Sequence, residues 1–268
     1  MATATRRGPW ASRCRSRSRR TTPKTSRFRA SSVAAASPDS GAGIEAARAA
    51  VQSRIDAAAG RAGRDPAGVQ LVAVTKTVPP ERIRAAVSAG LKTLGENRVQ
   101  EALEKQLLVP GARWHLIGPL QSNKARRALE TFEVIESVDS LDLAERLARV
   151  AADARPGRVA PILLQVNVDA DPAKAGFGTA DLERDLPAIL ALPGLRIDGL
   201  MTIGRQVSEP EAARPTFAAL RELSARLRAA NPALGPELSM GMTDDFEIAV
   251  EEGATIVRVG RAIFGARA

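Results

Sequence analysis

A lysine closes the first apolar run in the body of the chain. Residues 71–75 read LVAVT, Lys76 follows directly, and Pro79 and Pro80 mark a turn shortly after it. Apolar surroundings lower the pKa of a lysine below its usual value of about 10.4, and the neutral amine then attacks aldehydes. Lys76 is therefore a candidate nucleophile for a carbonyl compound. A lysine that only extends from a strand end into solvent is the simpler alternative.

Two short segments near the end of the chain have the composition of an anion site. The first, with the sequence LSMGM, contains Ser239, Met240 and Gly241, and the second contains Gly260 and Arg261. Glycines let backbone N–H groups approach an anion, while hydroxyl and guanidinium groups add further donors. The segments therefore predict a phosphate site. Two tight turns in a crowded part of the fold, where only glycine fits, would account for the same residues without any ligand.

Further polar residues carry weaker signals. Asn97 closes the sequence GEN, where it is consistent with a ligand contact or with the N-cap of the next helix. His115, the single histidine, lies within an apolar run and is expected to be a hydrogen-bonded core residue. Asp244 and Asp245 are expected to complement a helix N-terminus. No metal site is predicted, because the chain has one cysteine and one histidine.

The positive charge is concentrated at the N-terminus. The chain has 268 residues and a net charge of +9, and residues 1–38 contain ten Lys and Arg and no acid, so the remainder is nearly neutral. A segment rich in Arg and Ser without acids is typical of a disordered organellar transit peptide, and the small residues 33–36 favour a chloroplast over a mitochondrion. A nucleic-acid-binding arm and an ordinary flexible terminus are the alternatives.

The residue inventory narrows the possible functions. The only cysteine, Cys14, lies in the predicted transit peptide, so we expect a mature protein without disulfides, catalytic thiolates or Cys-ligated zinc. The chain has no tyrosine, which restricts its acid–base chemistry. Apolar runs stay well short of the roughly 18 residues that span a bilayer. We therefore expect neither a membrane nor, given the nearly neutral body, a nucleic acid as partner.

From residue 44 onward, short apolar runs alternate with amphipathic segments, the pattern of βα units around a parallel sheet. Strands are predicted at residues 69–75, 93–95, 114–117, 134–137, 162–168, 197–202, 237–239 and 256–259. Helices are predicted at residues 80–89, 99–108, 123–130, 141–152, 180–190 and 211–230. Eight such units predict an α/β fold with a single (β/α)8 TIM barrel over residues 41–268. An extra helix at 45–59 would close its bottom or pack on its side. A doubly wound open sheet is the alternative.

Six short motifs occur along the chain in the same order as in a known protein family. They are AVTKT at residues 73–77, GEN at 95–97, WHLIGPLQSNK at 114–124, GLM at 199–201, LSMGM at 238–242 and RVGRAIFG at 258–265. In these motifs the chain resembles the pyridoxal phosphate homeostasis proteins, from about residue 71 to residue 267. That family is similar in fold to the N-terminal barrel domain of alanine racemase.

The resemblance implies a site for pyridoxal 5'-phosphate (PLP). Lys76 would hold the cofactor as a Schiff base, and Arg258 would face the pyridine nitrogen. The other residues that the resemblance places around the ring and the phosphate are Asn97, His115, Met201, Ser239, Met240, Gly241, Gly260 and Arg261. Because Arg261 replaces a Thr or Ser that is common in the family, the phosphate contact there is expected from backbone N–H groups.

The implied function is non-catalytic PLP binding for intracellular vitamin B6 homeostasis, in which a monomer buffers PLP and passes it to apo-enzymes. A guanidinium at the ring nitrogen stays protonated and makes the ring a weaker electron sink. Racemases of this fold use a tyrosine as second base, and this chain has none. A PLP-dependent amino-acid racemase or lyase is the alternative.

Overall fold

The structure, a computed structural model, describes residues 41–205 and 207–265. The predicted transit peptide, residues 1–38, lies outside the described residues and stays a prediction. The strands are β1 (Gln70–Val74), β2 (Thr93–Glu96), β3 (Arg113–Leu116), β4 (Val134–Val138), β5 (Ala160–Gln165), β6 (Leu195–Met201), β7 (Glu237–Ser239) and β8 (Ile256–Val259). The α-helices are α1 (Gly41–Arg61), α2 (Pro80–Ser88), α3 (Val99–Leu108), α4 (Ala125–Thr131), α5 (Leu141–Ala154), α6 (Thr179–Leu190), α7 (Arg214–Ala230), α8 (Phe246–Glu251) and α9 (Arg261–Phe264).

The strands form a closed parallel barrel in sequence order, from β1 to β8. The barrel closes where β1 pairs with β8, in a register that places Val72 beside Arg258 and Ala73 beside Val259. Helices follow the strands and pack on the outside of the sheet. The predicted (β/α)8 barrel is thereby confirmed, because an open doubly wound sheet would keep two unpaired edge strands.

The two faces of the strands contribute to two separate apolar cores. Outward-facing side chains such as Ala73 pack under the helices. Inward-facing Val72, Leu163, Met201 and Ile256 form a smaller cluster inside the barrel. Because both faces of a parallel sheet are covered, its strands read as continuous apolar runs in the sequence. This is why the strands were recognisable from residue type alone.

The predicted extra helix is present as α1 and packs on the side of the barrel. Ile44 and Ile55 are among its buried residues, and the helix contacts α8 and α9. Arg54 pairs with Glu247 at 2.8 Å, and its guanidinium carbon lies 4.5 Å from the centre of the Phe246 ring. The helix therefore belongs to the outer layer and does not close the bottom of the barrel.

Two helices start later than predicted because a tighter turn precedes each of them. A 3-10 turn at Ser122–Lys124 precedes α4, and a 3-10 segment at Pro210–Ala213 precedes α7. Pro215 stands in the first turn of α7, where its missing N–H costs nothing. Within the described part of the chain, no helix combines the length and the apolar character that crossing a bilayer requires.

The segment before α8 gives each of the two aspartates a specific partner. The helix begins at Phe246 and Asp245 is its N-cap residue, so this acid lies at the helix N-terminus as expected. Its carboxylate accepts the N–H of Met242 at 2.6 Å rather than an N–H of the helix. Asp244 forms an ion pair with Arg261 at the barrel rim.

Candidate functional site

A cavity of about 430 Å³ lies at the carboxyl-terminal ends of the strands, where TIM barrels place their functional sites. Four of the predicted site residues line this strand-end cavity together, and they are Lys76, Arg258, Gly260 and Arg261. The predicted residues thus place the candidate nucleophile beside two of the three guanidinium groups of the cavity, whose wall also contains Asp244 and Asp245. Such a set of cations suits an anionic aldehyde.

The pairing of β1 with β8 brings Lys76 and Gly260 to the same wall. The register that places Val72 beside Arg258 brings Val74 close to Gly260. Lys76 lies two residues beyond the end of β1 and lines the same cavity as Gly260. A Cβ atom at Gly260 would lie 3.3 Å from the Cβ and the backbone oxygen of Val74. The glycine thus lets the end of β8 approach β1 closely beside the lysine.

A buried hydrogen-bond network fixes Arg258 at the cavity wall. Its guanidinium donates to Ser239 Oγ at 2.6 Å and to the backbone oxygen of Thr202 at 2.7 Å. Ser239 in turn donates to Glu136 Oε2 at 2.5 Å, and His115 Nδ1 lies 2.7 Å from Glu136 Oε1. Because these side chains are all buried, the network holds Arg258 in one orientation.

The charges in this network compensate each other. Burial raises the pKa of the Glu136 carboxyl, but its contacts with His115, Arg258 and Ser239 outweigh burial and leave the pKa below its ordinary range. Burial lowers the pKa of Arg258, while Glu136 and Asp245 act in the opposite direction. A guanidinium remains protonated throughout the physiological range. Glu136 is therefore the counter-charge of a permanent cation at the cavity wall.

The loop after β7 requires glycine at position 241. Gly241 has φ +89°, and a Cβ atom there would lie 2.5 Å from the Cβ of Ala249. Its backbone oxygen accepts the N–H of Arg258 at 3.1 Å. The side chain of Met240 is buried in the outer core, so any contact of Met240 with a ligand comes from its backbone.

Two predicted site residues lie elsewhere. Asn97 lines a separate cavity next to Pro119, and a Cβ atom at Gly118 would lie 2.6 Å from the Asn97 backbone oxygen. Met201 is fully buried in the cluster inside the barrel. The contacts of both residues with a cofactor ring stay predictions. His115 and Ser239 are linked to the cavity through the network that ends at Arg258.

Known proteins resemble this chain over almost all of the described region. The family model of the alanine racemase N-terminal domain matches residues 47–268. The pyridoxal phosphate homeostasis protein of Pseudomonas aeruginosa is 47% identical over 222 residues, which cover 81% of this chain and 93% of the relative. The chain belongs to the pyridoxal phosphate homeostasis family. This finding confirms the resemblance that the six motifs carry.

A second relative and a solved structure agree with this assignment. The homeostasis protein of Escherichia coli K12 is 41% identical over 228 residues, which cover 81% of this chain and 94% of that protein. Among solved structures, PipY of Synechococcus elongatus PCC7942, described with PLP bound, is 43% identical with a TM-score of 0.74. The match covers 83% of this chain and all of the PipY chain. The barrel of this chain therefore matches the barrel of a solved relative.

Sequence reasoning missed three residues that the structure places at the candidate site. Glu136 could have been found, because an acid inside an apolar strand needs a buried partner. Lys174 and Arg205 line the strand-end cavity. Lys174 Nζ and Arg205 Nε lie 3.2 and 3.6 Å from Oδ2 of Asp169. Both cations lie in loops after β5 and β6, and such strand-end loops are where a barrel collects functional residues.

Proposed function

We propose that this chain is a non-catalytic PLP carrier that serves vitamin B6 homeostasis, buffering the cofactor and delivering it to apo-enzymes. Lys76 holds PLP covalently in the strand-end cavity. The observation that carries the proposal is the meeting of Lys76 with Arg258 and Gly260 in one cavity, in a chain 43% identical to a protein described with PLP bound.

The cavity suits PLP in size and in chemistry. Its volume of about 430 Å³ lies within the range of small-molecule sites. When bound, PLP supplies a reactive aldehyde and a ring that withdraws electrons from an attached amine. Lys76 offers the amine that the aldehyde needs. Since Arg261 is already paired with Asp244, we assign the phosphate chiefly to the backbone N–H groups around Gly260.

The other family positions complete the proposed site. Ser239, Met240 and Gly241 lie on the loop after β7, on the phosphate side. Asn97 and Met201 are assigned to the surroundings of the ring, with His115 acting through Glu136 and Arg258. These six roles rest on the family resemblance.

The partners of the titratable groups near Lys76 support a carrier rather than an enzyme. Arg258 is held by Ser239 and Thr202, and its guanidinium cannot give a proton to a ring nitrogen. His115 is buried against Glu136. The chain has no tyrosine to act as a second base. Three other titratable side chains line the cavity, but each is bound elsewhere: Asp244 to Arg261, Asp245 to the N–H of Met242, and Lys174 to Asp169. Two-base racemisation by the tyrosine route therefore lacks its second base.

The test of the carrier proposal is a visible absorption spectrum of the full chain with added PLP. We expect a band that Lys76→Ala abolishes and that Lys92→Ala, a change at an exposed lysine, leaves intact. A spectrum without such a band, or one that persists in Lys76→Ala, would overturn covalent binding at Lys76.

The racemase or lyase alternative predicts a different result. An enzyme that works through the same lysine would exchange the Cα proton of an amino acid with solvent deuterium. We expect no exchange above background in a panel of amino acids, measured by NMR with PLP present. Rapid exchange that disappears in Lys76→Ala would replace the carrier by an enzyme.

We propose in addition that the carrier acts as a monomer in a chloroplast, reached through residues 1–38. The charge of that segment supports the location, since it has ten basic residues and no acid. A fluorescent protein fused behind residues 1–38 should enter chloroplasts. Entry into mitochondria would favour the other organelle, and retention outside both would contradict a transit peptide. The molar mass of the purified protein, measured by light scattering, tests whether it is a monomer.

A further inference from the structure

Two side chains of α3 bind the two peptide groups that flank Lys76. The ammonium of Lys105 donates to the backbone oxygen of Thr75 at 2.6 Å. The carboxylate of Glu101 accepts the backbone N–H of Thr77 at 2.7 Å. Because Thr75 precedes Lys76 and Thr77 follows it, the backbone of Lys76 is held on both sides. We call Glu101 and Lys105 the α3 clamp.

The two residues of the α3 clamp form an ion pair with each other, and Lys105 also pairs with Glu96 of β2. Glu101 and Lys105 stand one helical turn apart, and their charged groups lie 2.6 Å from each other. Lys105 also lies 2.8 Å from Glu96 Oε1, the oxygen that accepts the Thr75 hydroxyl at 2.6 Å. Lys105 is 7% exposed and Glu96 is fully buried. Such shielding from water makes these charge-assisted bonds stronger than surface bonds.

The backbone of Thr77 gives a second, independent sign of restraint. Its φ is +64°, a left-handed conformation that is unusual for a β-branched residue. The residue directly after Lys76 therefore occupies an unfavourable region, which persists only where surrounding contacts hold it. The bond from its N–H to Glu101 is such a contact. An α3 clamp that only docked α3 on the barrel could bind any backbone groups of β1. Instead, its two bonds are made to the two peptide groups that flank Lys76.

We propose that Glu101 and Lys105 are positioning residues that fix the backbone of Lys76 so that its amine meets the aldehyde in the strand-end cavity. This inference rests on the proposed role of Lys76. A lysine side chain is a flexible four-carbon stem. Fixing its backbone beforehand reduces the freedom that binding must remove, which raises both the affinity and the rate of covalent capture.

The test uses three substitutions at Glu101, whose partly exposed side chain makes unfolding of the variants unexpected. Glu101→Ala removes the acceptor, Glu101→Asp keeps the charge but shortens its reach, and Glu101→Gln keeps an oxygen that accepts from Thr77. The matched control is Glu130→Ala, which breaks an i,i+4 pair with Arg126 on the surface. Each full-length variant is titrated with PLP by absorbance and followed by stopped flow, and exchange of the Thr77 amide is measured without PLP.

We expect Glu101→Ala to bind PLP about tenfold more weakly and to react more slowly, with faster exchange of the Thr77 amide. Glu101→Asp should show a smaller loss of PLP affinity and reaction rate than Glu101→Ala. Glu101→Gln and Glu130→Ala should keep an affinity and a rate close to those of the wild type. Wild-type affinity and rate in Glu101→Ala, despite an unprotected Thr77 amide, would overturn the inference. An equal loss in Glu101→Gln and Glu101→Ala would also overturn it, because the acceptor would then be irrelevant. Failure of the wild-type chain to bind PLP would instead refute the proposed function.

Discussion

The Arg258 guanidinium and the Glu136 carboxylate share one neutral hydroxyl group inside the barrel. Ser239 Oγ accepts from Arg258 at 2.6 Å and donates to Glu136 at 2.5 Å, so two opposite charges are joined by a short relay. The Arg258 guanidinium is thus hydrogen-bonded on one side to Ser239 inside the barrel, and Arg258 also lines the strand-end cavity. The charge that the cavity presents is thus fixed by contacts deeper in the barrel.

Removing the buried carboxylate should be costly. Glu136→Ala leaves Arg258 without its counter-charge and takes a partner from both His115 and Ser239. Because an uncompensated buried charge typically costs about 3–5 kcal/mol, we expect the free energy of unfolding in urea to fall by that amount. The exposed Glu104→Ala is the control and should change stability by less than about 0.5 kcal/mol. Equal stability of the two variants would show that the network contributes little.

The same carboxylate should make the fold sensitive to acid. The pKa of Glu136 is lower in the folded chain than its ordinary value of about 4.3, so the unfolded chain binds the proton more readily. Its contribution to stability is therefore complete above about pH 4.3 and is lost as the pH falls through the lower folded value. Urea unfolding of the wild type between about pH 6 and pH 3 should show this loss. Glu136→Gln should show a shallower decline, and an unchanged slope would contradict the assignment.

A methyl group at Gly118 should disturb the loop that carries Asn97. The added Cβ would lie 2.6 and 2.7 Å from the backbone oxygen and Cα of Asn97, where only backbone movement can make room. We expect Gly118→Ala to cost about 1–3 kcal/mol in thermal or urea unfolding. Gly68→Ala, at a position with nothing within 4 Å, is the matched control. If Gly118→Ala also weakens PLP binding, Asn97 is near the cofactor; unchanged affinity would place it outside the site.

Substitutions at Gly260 and Arg261 separate backbone from side-chain contacts with the phosphate. Arg261 is exposed and paired with Asp244, so Arg261→Ala should reduce the affinity for PLP by less than about threefold. Gly260→Ala would place a Cβ 3.3 Å from Val74 beside the cavity and should reduce the affinity by about tenfold. Titration with PLP measures both. The reverse order of effects would assign the phosphate to the Arg261 side chain.

The sequence alone determined the barrel and the position of the candidate nucleophile. The strands are buried on both faces, so their apolar runs are visible without any tertiary information, and their number implies the closed sheet. Lys76 ends the first run, and Gly260 and Arg261 follow the last. Residues at the ends of paired strands must meet at one rim, so these three positions could be predicted to lie together.

Only the tertiary structure decided what supports those residues. Ser239 and Glu136 are 103 positions apart in the chain, and Lys105 reaches back 30 positions to Thr75. Contacts over such separations depend on strand register and on the rotation of each helix, which residue type does not encode locally. The sequence therefore indicates which amine is the candidate for covalent PLP binding. The packed barrel decides how that amine is held, because burial is what makes a distant charge or hydroxyl an obligatory partner.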